Sequence, residues 1–585
     1  METIAEQDIQ EIPLSSPFFS AKVARFLEDN GLRPEVLDFY YTVQSPDGSI
    51  LAGAGLAGDV IKCVAVAHAA RSEGLLVPLV SHLLSEAASR GLHNLKVFTK
   101  PVYQAVFESL GFKLLATAPL AVFMENGRGL EEYCNYLSQH KATGVIIMNA
   151  NPFTLGHRYL VEQASLSCPA SSLSCPAPTG YLAVIPVRED LSEFPYSERL
   201  EMMRQGCGDL ADVLEGSAYQ ISSATFPTYF LKDLSEASET QIRLDIDLFG
   251  RHIAPALGAA MRFVGSEPYD ELTAQYNALL KELLPSYGVE VVEIPRLETE
   301  GRPVSAARVR ESLAGGNFAS AAALTPASTH PSLLAALAER ALRLELDTPL
   351  KPGLVGPDGP GAHKDMDYAL MLKSIKALRP FWSRMATADS SEELKRLGIE
   401  AEEAMLAATG GVNTHRGAIF ALGLAINAFP RGAQLPIDQQ VAQKRLREIA
   451  SRLSTNSLRE RELGATRISY GEEAANKYGV KGARQMALEG YKPLFEDWLP
   501  YYRSLEGDEL QVQKTLLRIM STLDDTCIIH RVGYERAQEV KAEARDFSTS
   551  LEMTKLCAEY ASEHISPGGA ADMLALTIFI NSILN

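Results

Sequence analysis

Three residues within four positions of the stretch Asn151–Leu160, "NPFTLGHRYL", are of the types that grip a phosphate. A helix begun there turns its first N–H groups outward, Gly156 lets a phosphate approach the backbone, and His157 can donate to it from the positive helix end, with the Thr154 hydroxyl alongside. A second candidate is "GRPVSAARVRESL", Gly301–Leu313, where Ser305, Arg308 and Arg310 cluster at a predicted helix start. A hydroxyl and guanidiniums so placed match the charge that develops on a departing pyrophosphate. Further on, five fragments combine Gly with His, Asp, Arg and Lys: "TPLKPGLVGPDGPGAHKDMD", "ATGGVNTHRGAIFALG", "ISYGEEAANKYGVKGAR", "STLDDTCIIHRVG" and "SPGGAADMLALT". Each alone is compatible with a buried polar helix end or a glycine needed for close packing. Together they suggest one convergent phosphate and metal site.

The elements that must position these residues fall into three textures. From about Val36, "VLDFYYTVQ", "ILAGAGLAG" and "VIKCVAVAH" alternate with turn residues and predict antiparallel strands. A helix over about Leu75–Arg90, a strand "LKVFT", a helix near "VYQAVFESL" and a strand after Gly111 complete that region. From Gly144, strand candidates "GVIIM", "LAVIPV", "MRFVG" and "VEVVEIP" alternate with helical segments, the signature of a parallel sheet covered on both faces. Between the first two strands, Ser165–Ala170 is repeated as Ser172–Ala177, which reads as a low-complexity surface insertion. Past Phe318 the strand signal ends; an Ala-rich linker is expected to run into a helix, and the rest reads as all-helical.

Composition bounds the class of function. The chain has 585 residues with 46% hydrophobic content, enough for several packed cores. A formal net charge of -18 counts against a nucleic-acid binder, whose affinity comes from phosphate neutralisation. The segment "METIAEQDIQEIPLSS" is acidic and has no apolar core, unlike a targeting signal, and runs such as "AIFALGLAINAF" and "DMLALTIFINSILN" are too short for a bilayer. Seven cysteines with no C-x-x-C pair argue for a reducing compartment and against zinc. A cytoplasmic protein is expected, with neither nucleic acid nor membrane as partner.

Resemblances give these motifs a context. "AARSEGLLVPLVSHLLSEAASRG" followed by "YQAVFESLGF" resembles the acetyltransferase superfamily that binds acetyl-CoA; Arg71 and Gly74 match its pyrophosphate turn, but Leu76 stands where a small residue is usual. The Ser305 segment resembles the triphosphate loop of nucleotidyltransferases, with Ala307 in place of a hydroxyl. Together with "ISSATFPTYFLKD", "RFVGSEPYDELTAQYN" and "REDLSEFPYSERLEMMRQG", Met1 to about Phe318 closely resembles the citrate lyase ligase family. That resemblance implies that ATP adenylates acetate and that the acetyl group passes to the prosthetic-group thiol of the citrate lyase acyl carrier subunit. It assigns Thr154 and His157 to the α and β phosphates and Ser305, Arg308 and Arg310 to the outer ones, while Asn151, Gly156, Gly265 and Glu267 shape the nucleotide pocket.

The later fragments, from about Leu333 to Asn585, resemble the triphosphoribosyl-dephospho-CoA synthase family, with Cys527 where an amide residue is expected and Val532 where Gly is common. Members transfer the triphosphoribosyl part of ATP to the 2'-hydroxyl of 3'-dephospho-CoA and release adenine, so positive charge builds on the ribose carbon. The resemblance implies Asp365, Asp524 and Asp525 for carbocation work or for Mg2+, which oxygen ligands and a triphosphate favour. It implies Lys351, Arg416, Lys481, Arg484 and Arg531 as phosphate ligands, with Asn413 beside them, and His363, His415 and His530 for proton transfer or hydrogen bonding. The expected fold is therefore multidomain: an acetyltransferase-like α/β domain over 1–138, a Rossmann-like nucleotidyltransferase domain over 139–325 and an all-α domain over 326–585. A bifunctional enzyme of citrate lyase activation is the leading expectation. The alternatives are one catalytic half with the other as a docking scaffold, and a CoA-dependent acetyltransferase with a regulatory nucleotide domain.

Overall fold

Alternation of side chains builds the first sheet. Phe39, Tyr41 and Val43 enter one core and Tyr40 the opposite one, as a period of two requires. The structure, a computed structural model, describes residues 9–71, 73–168, 182–188, 192–221, 225–227, 229–231, 234–268, 270–429, 437–462, 470–545 and 550–585. The chain divides into two compact units, Met1–Asn151 with Gly156–Pro303, and Pro152–Leu155 with Val304–Asn585.

In the first unit, β1 (Ile9–Ile12), β2 (Phe39–Gln44), β3 (Ile50–Ala57), β4 (Val60–Val66), β5 (Leu95–Thr99), β6 (Lys113–Thr117) and β7 (Val122–Asn126) form one sheet. Its order is β1-β2-β3-β4-β5-β7-β6. Only β4 and β5 are parallel, and they pair at just Val60↔Lys96 and Ile61↔Val97 before diverging. The helix Leu76–Ser89 covers one face, burying Leu79, Val80 and Leu83 against the Phe39 side of β2. The strands and the helix expected from the alternating and amphipathic runs are all present.

The second sheet consists of β8 (Gly144–Met148), β9 (Leu182–Pro186), β10 (Asp212–Val213), β11 (Met261–Gly265) and β12 (Glu290–Ile294). All its pairings are parallel, in the order β10-β9-β8-β11-β12. The chain therefore steps outward from β8 to β10 and returns past β8 to reach β11, which leaves a switch in direction between β8 and β11. The near-continuous burial of β8 and β9 follows from helices lying on a parallel sheet. The boundary expected at 138/139 falls between the two sheets, and one core in this unit takes Tyr40, Phe98 and Phe123 from the first with Val145, Ala183 and Ile185 from the second. Most of the repeated Ser/Cys/Pro insertion lies outside the described residues.

The second unit is helical. Its central element is the helix Gly568–Leu584, which buries Leu574, Leu576, Ile578, Phe579, Ile580 and Ile583 around its circumference. Such an all-round apolar helix belongs in a core, and it packs against the helices His330–Asp347, Arg416–Ala428 and Gln511–Thr522. Among the described residues no helix is long and apolar enough to cross a membrane. The Ala-rich stretch expected to be a linker is packed instead: Ala321, Ala322, Leu324, Thr325 and Thr329 are buried. Leu155 N donates to the Leu324 carbonyl at 2.9 Å, and Thr329 Oγ1 donates to the Phe153 carbonyl at 2.9 Å. Small residues there permit close approach of backbones, which composition alone does not distinguish from a flexible segment. The second compact unit takes in this stretch from Val304 onward.

Candidate functional site

At the carboxyl end of β8 the chain turns sharply. Ala150 takes a left-handed conformation with φ of 47°, a strained one for a residue with a Cβ. Arg199, fully buried, holds this end in place: it donates to the Asn149 carbonyl at 2.9 Å, to Asn149 Oδ1 at 2.8 Å, and to the carbonyls of Val187 at 2.8 Å and Phe194 at 3.0 Å. Asn151 Oδ1 accepts from Phe194 N at 3.0 Å. The helix Leu155–Ser167 then begins, with Gly156 in its first turn. Thr154, just before it, is buried.

His157 is in that first turn as well. Burial, and then the Arg296 guanidinium, lower its pKa from 6.5 to about 4, so it is a neutral imidazole at pH 7. Arg296 follows the end of β12 and forms an ion pair with Glu267, which follows the end of β11. Ser266 binds the two segments together, its N donating to the Ile294 carbonyl at 2.9 Å and its hydroxyl accepting from Arg296 N at 3.1 Å. A Cβ built on Gly265 would meet no atom within 4 Å, so bare backbone borders open space there, while its carbonyl accepts from Asn277 Nδ2 at 2.8 Å. Asn151, Gly265, Glu267 and His157 thus sit at carboxyl ends of β8 and β11 or on the helix that follows. That is where ligands bind in open parallel sheets with a directional switch.

In the second unit, Ser305 caps the helix Ala306–Ala314 by accepting from Arg308 N at 3.3 Å. Arg308 and Arg310 lie in the first turns of that helix. The hydroxyl therefore has the capping role that its type and position favour.

The first sheet holds a cavity of about 470 Å3 in the splay between β4 and β5. Val64, Val66, Thr99 and Lys100 line it together with Arg71 and Leu76. Leu76, where a small residue is usual in the acetyltransferase turn, forms part of the wall and leaves that volume open.

Four of the five later fragments meet in the helical unit. Asp525 accepts from Cys527 N at 2.8 Å and, through its second oxygen, from Ala570 N at 2.8 Å, so one carboxylate pins the starts of two helices. Asp572 approaches the "THRG" fragment so closely that a Cβ on Gly417 would lie 1.9 Å from Asp572 Oδ2. Burial, followed by the Asp525 and Glu345 charges, pushes Asp572 well above the usual carboxylate range. His363 is within 2.8 Å of Ser566 Oγ, and Arg531 Nη2 lies 3.2 Å from its other ring nitrogen. Burial and then Arg531 lower the His363 pKa.

His415 is buried before the helix Arg416–Ala428, with its Nδ1 2.7 Å from Ser374 Oγ. Its Nε2 has no hydrogen-bond partner among the described residues, and neither does the buried hydroxyl of Tyr491. Burial, then Lys351, lower the His415 pKa to about 4. Lys351, expected at a phosphate, is itself buried and ion-paired with Glu345 at 2.5 Å, so its charge is already matched. Asn413 Oδ1 accepts from Arg416 N at 3.3 Å, and Arg416 pairs with Glu402.

The remaining fragment, "ISYGEEAANKYGVKGAR", packs its helix Tyr470–Tyr478 on the helix Thr526–Val532, and its cations have partners of their own. Lys481 pairs with Glu489 at 2.8 Å, and Arg484 donates to the Ser454 carbonyl at 3.1 Å. His530 and Cys527 are exposed.

The three carboxylates expected to hold magnesium have different partners. Asp365 is mostly exposed and 3.9 Å from His363, Asp524 pairs with Lys541 at 2.7 Å, and Asp525 is committed to backbone N–H groups. Among the described residues no group of three or more His, Cys, Asp or Glu side chains is placed to hold a metal ion. These residues do not fit a protein-built magnesium site.

Sequence reading missed Asp572, Glu345 and Arg296. Asp572 carries a signal, being the one charged residue in a mainly apolar helix. Arg296 carries another: it lies two residues beyond the end of a parallel strand.

Comparison with known proteins covers both halves. Residues 143–333 match the family described as "Citrate lyase ligase C-terminal domain", and residues 331–585 match "ATP:dephospho-CoA triphosphoribosyl transferase". A [Citrate [pro-3S]-lyase] ligase of Escherichia coli (strain K12) is 38% identical over 322 residues, covering 53% of this chain and 88% of the relative. The Klebsiella pneumoniae protein of the same name is 41% identical, over 54% of this chain and 93% of its own. A protein of Azotobacter vinelandii (strain DJ / ATCC BAA-1303), named "Probable 2-(5''-triphosphoribosyl)-3'-dephosphocoenzyme-A synthase", is 38% identical over 278 residues, 43% of this chain and 93% of its own.

Proposed function

We propose that this chain, which belongs to the citrate lyase ligase family over its first half and to the triphosphoribosyl-dephospho-CoA synthase family over its second, carries out two ATP reactions of citrate lyase activation. The reading rests on one observation. The two motif sets are built into different architectures, one at the edge of a parallel sheet and one in a helical bundle.

In the first reaction a carboxylate oxygen of acetate attacks the α-phosphorus of ATP, and diphosphate leaves. A thiolate on the acyl carrier subunit then attacks the acetyl carbon, and AMP leaves. The protein positions the reactants and offsets charge. Neutral His157 at a helix start donates a hydrogen bond to phosphate without needing to lose a proton, and Gly265 admits the nucleotide to the backbone. The strand order β10-β9-β8-β11-β12 supports a Rossmann-like nucleotidyltransferase. Ser305, Arg308 and Arg310 are assigned to the outer phosphates on the strength of their motif.

In the second reaction the 2'-hydroxyl oxygen of 3'-dephospho-CoA attacks the ribose C1 of ATP. The bond to adenine breaks, and the hydroxyl proton passes to a base. Asp572, beside Asp525 and Glu345, has the raised proton affinity that suits the base taking that proton, and Arg531 with His363 contacts phosphate.

Two incubations test the proposal. ATP, acetate and thiol-form carrier should yield AMP, diphosphate and acetylated carrier; ATP with dephospho-CoA should yield adenine. Adenine without diphosphate, or the reverse, would leave one half as a scaffold and overturn the bifunctional reading.

A further inference from the structure

The helical unit contains a cavity of about 350 Å3 bordered by Arg416 and Arg484, two of the residues expected at phosphate. It runs along the helix Arg416–Ala428, where Arg416, Phe420 and Gly423 line it at a spacing that places them on one stripe. Gly417, against Asp572, falls on a different side of the same helix. Leu394 and Gly398 face the cavity from the helix Ser391–Ala408. The walls are chiefly apolar, and three cations, Lys395, Arg484 and the Glu402-paired Arg416, border them against that one carboxylate, so a net positive charge is left at the rim.

The proposed transfer to dephospho-CoA decides what could enter, and this inference rests on that reading. The adenine of ATP is the leaving group, so its bond to ribose must lie at the reacting carbon, beside Asp572 and not on the neighbouring stripe. The triphosphate is too strongly charged for apolar walls. Dephospho-CoA has a different layout. Its reacting 2'-hydroxyl is joined through the ribose and a diphosphate to a long uncharged pantetheine arm with two amides and a geminal dimethyl group. Guanidiniums beside a mainly apolar recess, next to a reaction centre, match that order of diphosphate and arm.

We propose that this cavity binds the pantetheine arm of dephospho-CoA, with Arg416 and Arg484 facing its diphosphate. The arm is remote from the reacting bond, so its binding helps to orient the 2'-hydroxyl.

Gly398→Leu tests this without disturbing the reaction centre. A Cβ there meets no atom within 4 Å, and replacing a mid-helix glycine favours the helix, so the variant should melt no lower than the parent. Its side chain would occupy the recess. The KM for dephospho-CoA should rise roughly tenfold or more, with the KM for ATP unchanged. ADP, which is dephospho-CoA without the arm, should be a poorer acceptor for the parent, and its KM should not respond to the substitution.

An unchanged KM for dephospho-CoA, a raised KM for ATP, or equal use of ADP and dephospho-CoA by the parent would overturn the proposal. Calorimetric titration with dephospho-CoA reads the cavity without turnover. Weakened binding by Gly398→Leu would support the cavity even in a protein that releases no adenine, a result that would count against the catalytic reading alone. Unweakened binding would overturn the cavity itself.

Discussion

At the carboxyl edge of the parallel sheet, the strained turn at Ala150, the exposed backbone of Gly265 and the start of the helix Leu155–Ser167 are main-chain features. In the helical unit, Lys351, His415, Asp525 and Asp572 are side chains drawn from fragments widely separated in sequence. Both contain a histidine next to a helix start whose pKa falls to about 4, lowered by burial and then by a cation, Arg296 in one and Lys351 in the other. The difference teaches where each site is vulnerable. A crevice made of strand ends survives many side-chain changes provided the turn is kept, whereas in a cluster of coupled buried carboxylates and cations the state of each depends on the others.

The sharpest way to separate the two is His157→Ala. It should reduce acetate-dependent ATP–diphosphate exchange by about 10²–10³-fold, the scale of losing a preorganised donor, with adenine release left unchanged. Loss of both activities would break the distinction. Asp572→Asn is the reciprocal change: adenine release should fall about 10²-fold in a discontinuous assay while diphosphate exchange continues.

Gly417→Ala probes packing at the same carboxylate. With a new Cβ 1.9 Å from Asp572 Oδ2, we expect a loss of about 1–3 kcal/mol in denaturant unfolding of the helical unit, and none where Asp572 is shortened to Ala in the same chain. The smallest effect is common to both regions. Each native histidine resists protonation until about pH 4, whereas an unfolded one accepts a proton near 6.5. The unfolded state therefore binds more protons in that window, and the stability contributed above pH 6.5 is lost as pH falls towards 4. Equilibrium unfolding at pH 7 and pH 5 measures the slope, and His415→Gln should flatten it for the helical unit.

Much of the architecture was legible because hydrophobic periodicity is local. "GVIIM", "LAVIPV", "MRFVG" and "VEVVEIP" became the parallel strands they predict, and the helical texture past Phe318 became a helical unit. The two-residue β10 has too little sequence to carry a pattern. The Ala-rich stretch from Ala321 to Thr329 was misread as a linker because small residues serve loops and tight packing alike.

The sites divide in the same way. His157 and its helix start can be read from a handful of contiguous residues. The approach of Asp572 to Gly417, or of Arg296 to His157, is set by long-range packing that no local pattern encodes. Lys351 shows the converse: a lysine in a glycine-rich fragment suggests a ligand contact, but Glu345, on a helix turn upstream, had already claimed its charge.

The bond from Ala570 N to Asp525 has a consequence for how the helical unit is made. Gly568–Leu584 is the last to leave the ribosome among the helices it packs with, yet it supplies their common core and one of the donors that fix Asp525. The earlier helices must wait for it with apolar faces uncovered, since the contacts that reward them span the whole unit. Assembly of this unit therefore waits for that helix, and the earlier helices need shielding from self-association until it docks.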